Sequence, residues 1–296
     1  MKILITGGNG FLAKNISSKI SGHEIIKISR NDFDLRNSED VKNFIRHKYF
    51  DVILHTAIVG GNRLITDSKE IVYDNTIMLT NFLSNRKNFG RFINFGSGAE
   101  LDRKLNIDSL HKTVYESMPV DSYGFSKNIN ARLVLQTENC YNLRVFNVFS
   151  EEEHLRRMIK GNVHKYFHNE PMEIHQDKFM DFMYIEDFMK IIKLYIETNN
   201  LPKDFDCVYE KKYKLSEICE KINNIAEKKV AIKLQAENLG LSYCGKFYDL
   251  KINFSGLEYG IRKVYNYICH SHSHSNKMIQ TGLSDMYPFL SDKELI

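Results

Sequence analysis

The chain opens with a short apolar run, Lys2-Ile3-Leu4-Ile5-Thr6, that ends in Gly7-Gly8-Asn9-Gly10. The next stretch, FLAKNISSKI, places Phe11, Leu12, Ile16 and Ile20 at helical spacing, so the pattern predicts strand, glycine turn and helix. HEIIKIS predicts a second strand, and SEDVKNFIRHKY a helix with Ser38 as its N-cap. DVILHTA has an unbroken apolar run, which predicts a third strand covered on both faces. KEIVYDNTIMLTNFLSNRK predicts a long helix, RFINFGS a fourth strand, SYGFSKNINARLVLQTEN another helix and YNLRVFNVF a fifth strand. Strands alternating with helices predict an α/β fold with a doubly wound parallel sheet.

After Phe149 the alternation fades. EEEHLRRMIKGNVHKYF reads as a helix, and FMDFMYIEDFMKIIKLYIETN as a strand or loop entering a helix with Asp187 near its start. KLSEICEKINNIAEKK predicts a helix, VAIKLQ a strand and GLEYGIRKVYNYIC a last helix, with no internal repeat. The tail lacks periodicity; His270, His272 and His274 alternate there with serine and read as a polar segment rather than a metal site. These patterns divide the chain into a Rossmann-like domain over 1–150, with about 181–200 returning to it, a smaller C-terminal domain over 151–270, and a tail over 271–296.

With 296 residues, 43% hydrophobic and 26% charged, the chain can bury a sizeable core as one large domain or two smaller ones. The net charge of +4 comes from Lys and Arg interleaved with acids, so no nucleic-acid footprint is present, while an anionic small substrate is compatible. The five cysteines (Cys140, Cys207, Cys219, Cys244, Cys269) show no CxxC and no metal spacing, which suits reduced cytosolic thiols and predicts no metal. No apolar run approaches the roughly 20 residues of a membrane span. The N-terminal apolar run is too short for a signal peptide. The expectation is a cytoplasmic protein with no membrane partner.

The glycine turn carries the first chemistry. Gly7 permits the tight turn, Gly10 lets backbone approach a pyrophosphate, and Ala13 lets the helix pack close to the strand. The helix N-terminus then offers unpaired N–H groups to phosphates, so a dinucleotide site is predicted, with Phe11 and Leu12 in the same turn. Which dinucleotide depends on the end of the second strand, which reads KISRNDFDL. An acid there suits the ribose hydroxyls of NAD, and a base suits a 2′-phosphate. Arg30 favours NADP(H) over NAD(H); the alternative makes Arg30 a plain surface residue and Asp32 the acid. Asp34 and Leu35 follow where they could flank the adenine.

In SYGFSK, Tyr123 and Lys127 stand four apart, one turn along a helix face. The pair alone says little, but TGGNGFLA, DL, HTA, YDNT, FGSGAE, SYGFSK, LRVFNVF and MDFMYIEDF occur in that order. Together they resemble the extended short-chain dehydrogenase/reductase family, the NAD(P)-dependent epimerase/dehydratase group acting on nucleotide sugars, over roughly residues 1–270. HTAIVGGN followed by a long helix, together with Arg30, is most similar to the GDP-L-fucose synthase-like 4-keto sugar-nucleotide reductases.

The resemblance implies roles. Ser97, Tyr123 and Lys127 become the catalytic triad, with Lys127 also binding ribose hydroxyls. Asn75 supports the lysine, His55 and Ala57 lie along the adenine and pyrophosphate, and Asn147 lies near the nucleotide sugar. Asp187 matches an acid that is usually structural. The family arginine before it is absent, with Phe179 and Met180 in its place and Lys178 nearby. The second domain should close over the sugar nucleotide, and Arg156, Arg157, Lys160 and Lys165 could meet its diphosphate or form a solvated face.

A free tyrosine titrates near pH 10, and a neighbouring ammonium plus an oxidised nicotinamide should lower it. Dehydratases of the family follow the serine position with an acid pair, whereas Gly98 and Ala99 stand here and line the substrate side. Glu100, one place off, reads as a surface or loop carboxylate. Fucose synthases carry a cysteine base where Ala99 stands and a histidine acid after the fifth strand; His154 is not at that spacing and, like His164, His168 and His175, reads as solvent-facing. The expectation is reduction of a 4-keto-6-deoxy sugar nucleotide, GDP-linked, without C3/C5 epimerisation. An NAD-dependent 4-epimerase and a non-catalytic dinucleotide-binding protein are the alternatives. Family members dimerise through the long helices, so a homodimer is expected.

Overall fold

The computed structural model describes residues 1–61, 66–108, 110 and 112–280. In chain order these form β1 (Lys2–Thr6), α1 (Phe11–Lys19), β2 (Glu24–Ile28), α2 (Ser38–Ile45), β3 (Phe50–His55), α3 (Glu70–Leu83), β4 (Phe89–Ser97), α4 (Ser122–Gln136) and β5 (Cys140–Val145). They continue as β6 (Val148–Phe149), α5 (Met158–Phe167), β7 (Met172–Gln176), β8 (Met183–Tyr184), α6 (Ile185–Glu197), β9 (Asp204–Cys207), α7 (Leu215–Asn223), β10 (Ile232–Ala236) and α8 (Leu257–Gln280).

The first compact unit takes in Met1–Phe146, Phe188–Glu210 and Leu241–Ile252. Its sheet has the order β2-β1-β3-β4-β5-β9. Every neighbouring pair is parallel, giving the Rossmann-like α/β fold that the alternation predicts. Ile3, Leu4 and Ile5 of β1 and Val52, Ile53 and Leu54 of β3 are all buried, as strands covered on both faces require. On one face, Leu4, Ile53 and Phe92 pack with Val41 and Ile45 of α2 and Met78, Leu79 and Phe82 of α3. Each such side chain stabilises the fold by about 1.5–3 kcal/mol. The strand order reverses between β1 and β3, and in open α/β sheets the crevice at such a point is where ligands bind.

The turn after β1 is set by crowding. Gly7 has φ +67°, and a Cβ there would stand 2.8 Å from the Ala57 Cα. The amide of Gly10 donates to the Gly7 carbonyl at 2.8 Å, closing the turn that starts α1.

The second unit takes in Asn147–Asp187, Lys211–Gly240 and Asn253–Ile296. It holds two short parallel ribbons, β6–β8 and β7–β10. Helix α5 packs against α7 and α8. The Asp187 carboxylate accepts from the Ser255 and Gly256 amides at 2.9 and 2.8 Å, which fixes the entry to α8.

Several elements differ from the sequence pattern. The N-cap of α2 is Asn37, whose Oδ1 accepts from Glu39 N at 3.0 Å and Asp40 N at 3.3 Å; Ser38 is already helical. The fifth strand breaks after Val145, and Val148–Phe149 pairs with β8 instead. Helix α5 starts at Met158, not among Glu151–Arg157. Strand β7 alternates buried Met172 and Ile174 with exposed Glu173 and His175 over only five residues, and β9 shows no alternation. Leu241–Ile252 belongs to the first unit, although the sequence pattern places 151–270 in the second domain. Helix α8 continues to Gln280, through His270, His272 and His274. Leu257, Ile261, Val264 and Ile268 anchor its first turns, and propagating a formed helix costs little. The rest of the expected tail, 281–296, lies outside the described residues.

Gly22 has φ +82° and open space, with nothing within 4 Å of where a Cβ would stand, so Gly22→Ala bears only the backbone term, about 1–2 kcal/mol. Gly7→Ala adds the collision with Ala57 and is expected to cost at least about 3 kcal/mol. Urea unfolding followed by circular dichroism compares the two; equal costs would show that the approach to Ala57 is not limiting.

Candidate active site

β4 delivers Ser97 to the edge of the sheet, and a single 3-10 turn, Gly98–Leu101, follows it. The Ser97 hydroxyl accepts from the Ala99 amide at 3.2 Å, and the Ser97 amide donates to Glu100 Oε2 at 3.4 Å. Asp121 caps α4 by accepting from Gly124 N at 2.8 Å, which sets Tyr123 in the first turn. The Ser97 side chain lies beside the Tyr123 phenol and acts to lower its pKa. One turn on, Lys127 Nζ lies 5.9 Å from the Tyr123 ring centroid and donates to the Phe95 carbonyl at 2.6 Å. The Arg103 guanidinium also lies 5.9 Å from that ring, held by Asp121 at 2.7 Å. The three residues expected to form the triad thus meet within the first unit.

Burial pushes the Tyr123 phenol above its usual range, against the Ser97 side chain and Arg103, which pull it down. The phenol is therefore not lowered as expected in the protein alone, and Tyr123 bears its proton. Burial lowers Lys127 to about 8, with Glu100 opposing the shift. The arrangement suits donating a proton at neutral pH.

The turn residues Gly7, Gly10, Phe11 and Leu12 stand together at the start of α1, and Gly10 supplies no side-chain cap. Ala57 N donates to Thr6 Oγ1 at 3.2 Å at the neighbouring strand end. At the end of β2, Arg30 is exposed, while Asp32 is folded back onto Ser29, accepting from its amide at 2.8 Å and its hydroxyl at 3.0 Å. A crowded glycine turn and a helix start without a side-chain cap fit the pyrophosphate of a dinucleotide, with an exposed cation at the adjacent strand end. Asp34 forms an ion pair with Arg36 at 2.6 Å, and Arg36 reaches Asp74 at 3.2 Å; the Arg36 hydrogen bond holds the Asp34 carboxyl below its usual range.

The side chains of four residues expected at the site are engaged within the protein. The His55 imidazole is buried among Phe82 and Phe92, bonds Thr6 Oγ1 at 3.1 Å, and is held neutral by burial, its pKa lowered to about 3. It is a core residue, because β3 is covered on both faces. The Leu35 side chain is likewise in the core. Asn75 is buried and clamps the backbone of Val59 through both its amide atoms, at 2.8 and 2.9 Å. It also donates to Ser126 Oγ at 3.2 Å, so it supports the helix beside Lys127 from within. Asn147 lies in the second unit, where its amide donates to the Asp181 carbonyl at 2.8 Å and braces the β6–β8 ribbon.

Glu100 is the largest departure: it is fully buried, not on the surface. It pairs with Arg144 of β5, which also holds Asp206 and, at 2.7 Å, Asp204 of β9. Burial pushes the Glu100 carboxyl up to about 7 despite Arg144. Ala99 is buried as well, and a Cβ on Gly98 would come within 2.6 Å of the Phe146 ring and 2.7 Å of the Tyr243 ring. Tyr243 has no motif of its own. The signal for Glu100 was Arg144, a lone cation inside an apolar strand that needs a buried partner.

The family model described as "NAD dependent epimerase/dehydratase family" matches residues 3–207. The chain is 42% identical over 84 residues to GDP-L-fucose synthase of Azorhizobium caulinodans, covering 27% of each chain. It is 30% identical over 143 residues to GDP-L-colitose synthase of Yersinia pseudotuberculosis, covering 45% of this chain and 46% of that one. The matches thus span less than half the length of either relative. Among solved structures, MlghC, the GDP-mannoheptose C4 reductase of Campylobacter jejuni with NADP bound, superposes with a TM-score of 0.74. That likeness covers 90% of this chain and 98% of the other at 16% identity, and it shows a shared fold. The match over 3–207 takes in the glycine turn, the Ser97 turn and the Tyr123–Lys127 helix, so the chain belongs to the NAD dependent epimerase/dehydratase family.

Proposed function

We propose that this protein uses NADPH to reduce the C4 keto group of a nucleotide-linked 4-keto-6-deoxy sugar, GDP-linked, without epimerising C3 or C5. One observation carries the reading. Gly98 and Ala99 follow Ser97, and the Phe146 and Tyr243 rings fill the space that a side chain on Gly98 would need. Dehydration and C3/C5 epimerisation each require a second acid or base beside the tyrosine. Neither position can supply one, so a single proton donor remains. The GDP-sugar relatives and the C4 reductase with the same fold support the substrate class and the reductive direction.

The residues divide the work. Gly7, Gly10, Phe11 and Leu12 would hold the pyrophosphate by their backbone, Arg30 the 2′-phosphate, and Lys127 the ribose hydroxyls. The bound nicotinamide supplies the hydride that C4 accepts. Tyr123 donates its proton to the oxygen of that carbonyl, and Ser97 hydrogen-bonds the same oxygen, so the product is an alcohol. The raised pKa of Tyr123 keeps the proton in place until charge develops on the substrate oxygen. The fold has no helix among the described residues that could cross a membrane, and the reading places the protein in the cytoplasm as a homodimer through α3 and α4.

Incubation with a panel of nucleotide 4-keto sugars should consume NADPH, and product NMR should show change at C4 alone. Tightly bound NAD with no net NADPH consumption would instead identify a 4-epimerase. Tyr123→Phe is expected to lower kcat by about 10²–10⁴-fold while NADPH binding, read by fluorescence, stays unchanged. Replacing Arg30 by Ala should raise KM for NADPH about tenfold or more and leave KM for NADH alone, a loss of at least about 1.4 kcal/mol specific to the phosphate. Light scattering at micromolar concentration should give twice the chain mass; a monomer refutes the dimer.

A further inference from the structure

Glu100 touches three parts of the site at once, two through its buried carboxylate and one through its backbone carbonyl. Its Oε2 accepts from the Ser97 amide at 3.4 Å. Its Oε1 accepts from Asn142 Nδ2 at 2.9 Å and from Arg144 Nε. Its backbone carbonyl accepts from Asn128 Nδ2 at 2.8 Å, on α4 next to Lys127. Asn142 is itself fixed by Asn94 Nδ2 at 2.8 Å. Gly96 has no room for a side chain, because Asn142 and Glu100 fill that space within 2.6 and 2.9 Å of a Cβ.

The charges around it are unbalanced. Arg144 faces three carboxylates: Glu100 from the Ser97 turn, and Asp204 and Asp206 from β9. The Lys246 amide adds a donor to Asp206 at 2.7 Å, but no charge. From α4, Tyr123 and Lys127 both feel Glu100, whose negative charge favours the phenol of the first and the ammonium of the second. Those are the two protonation states a reductive step needs.

We infer that Glu100 is a positioning residue of the proton-transfer site: it fixes the Ser97 turn and, braced by Arg144, places an ionisable carboxyl beside the Tyr123–Lys127 pair. It touches neither substrate nor cofactor. Its effect on Ser97 is geometric, through the turn amide; its effect on Lys127 is electrostatic. The inference rests on the reductase reading for its effect on turnover, but not for its effect on cofactor binding.

The test uses Glu100→Gln, which keeps the shape and loses the charge, and Glu100→Asp, which keeps the charge and shortens the reach. In the wild type, NADPH affinity by fluorescence titration should weaken as pH rises through about 8, where Lys127 loses its proton. In Glu100→Gln this weakening should begin at lower pH, because the opposing charge is gone; in Glu100→Asp it should stay near the wild-type position. Turnover of the keto sugar at pH 7 should fall about tenfold or more in both variants, with KM for NADPH at that pH within about twofold of wild type. A Glu100→Gln protein with the wild-type binding profile and wild-type kcat overturns the inference. A wild type inactive on the whole panel overturns the keto-sugar reading instead, and the pH profile of NADPH binding still decides Glu100. Should Glu100→Gln fail to fold, Glu100→Asp decides: folded with wild-type kcat it overturns the positioning role, and folded with reduced kcat and an unmoved profile it supports it.

Discussion

All six strands of the main sheet run in one direction, and the placement of the site follows from that. A parallel strand must hand the chain to a crossover at its carboxyl end, so every loop of one kind gathers at one edge. Thr6 pairs with both Ile28 and His55, so β1, β2 and β3 end level, and the glycine turn, Arg30 and Ala57 leave the sheet side by side. His55 pairs with Asn94, so β4 runs three residues further and carries Ser97 roughly 10 Å beyond the end of β3. Helix α4 then starts at that level with Asp121 as its cap, and the first turn sets Tyr123 against Ser97.

Buried charge is the second constraint. Arg144 sits within β5, in register with Asp206 of β9, while Asn142 pairs with Asp204. Taking a guanidinium out of water is costly unless it is fully partnered, and removing one partner of such a pair typically costs about 3–5 kcal/mol. The cluster therefore welds the edge strand to the sheet and fastens the turn after Ser97 to the same point. Fold and site share one anchor, so damage to either is felt in the other.

Much of the fold was legible in the chain. The apolar runs of β1 and β3 and the glycines after Thr6 are local signals that no tertiary context needs to rescue. The order of the motifs supplied Ser97, Tyr123 and Lys127. What was hidden depends on partners distant in sequence. The β9 segment Asp-Phe-Asp-Cys is a poor strand by local preference; Arg144, 62 residues from Asp206, makes it one. Glu100 looked exposed for the same reason, since its counter-ion lies on another strand. His55 misled in the opposite sense: a polar residue at a strand end suggested a ligand contact, yet as a neutral ring hydrogen-bonded to Thr6 it serves as core. Tyr243 lay outside every motif, and only the return of Leu241–Ile252 to the first unit brings it over Gly98.

The bond from Lys127 to the Phe95 carbonyl has a thermodynamic consequence. A lysine free in solution loses up to about 2 kcal/mol of rotamer freedom when it is fixed in one place. Lys127 is already fixed, buried and tethered to β4, so that entropy was surrendered when the chain folded. Gripping a ligand then requires no further ordering of the side chain, and two of its three donors remain for the purpose. Affinity at this position is in that sense stored in the folding free energy, and anything that loosens β4 against α4 weakens the grip before any binding group is altered.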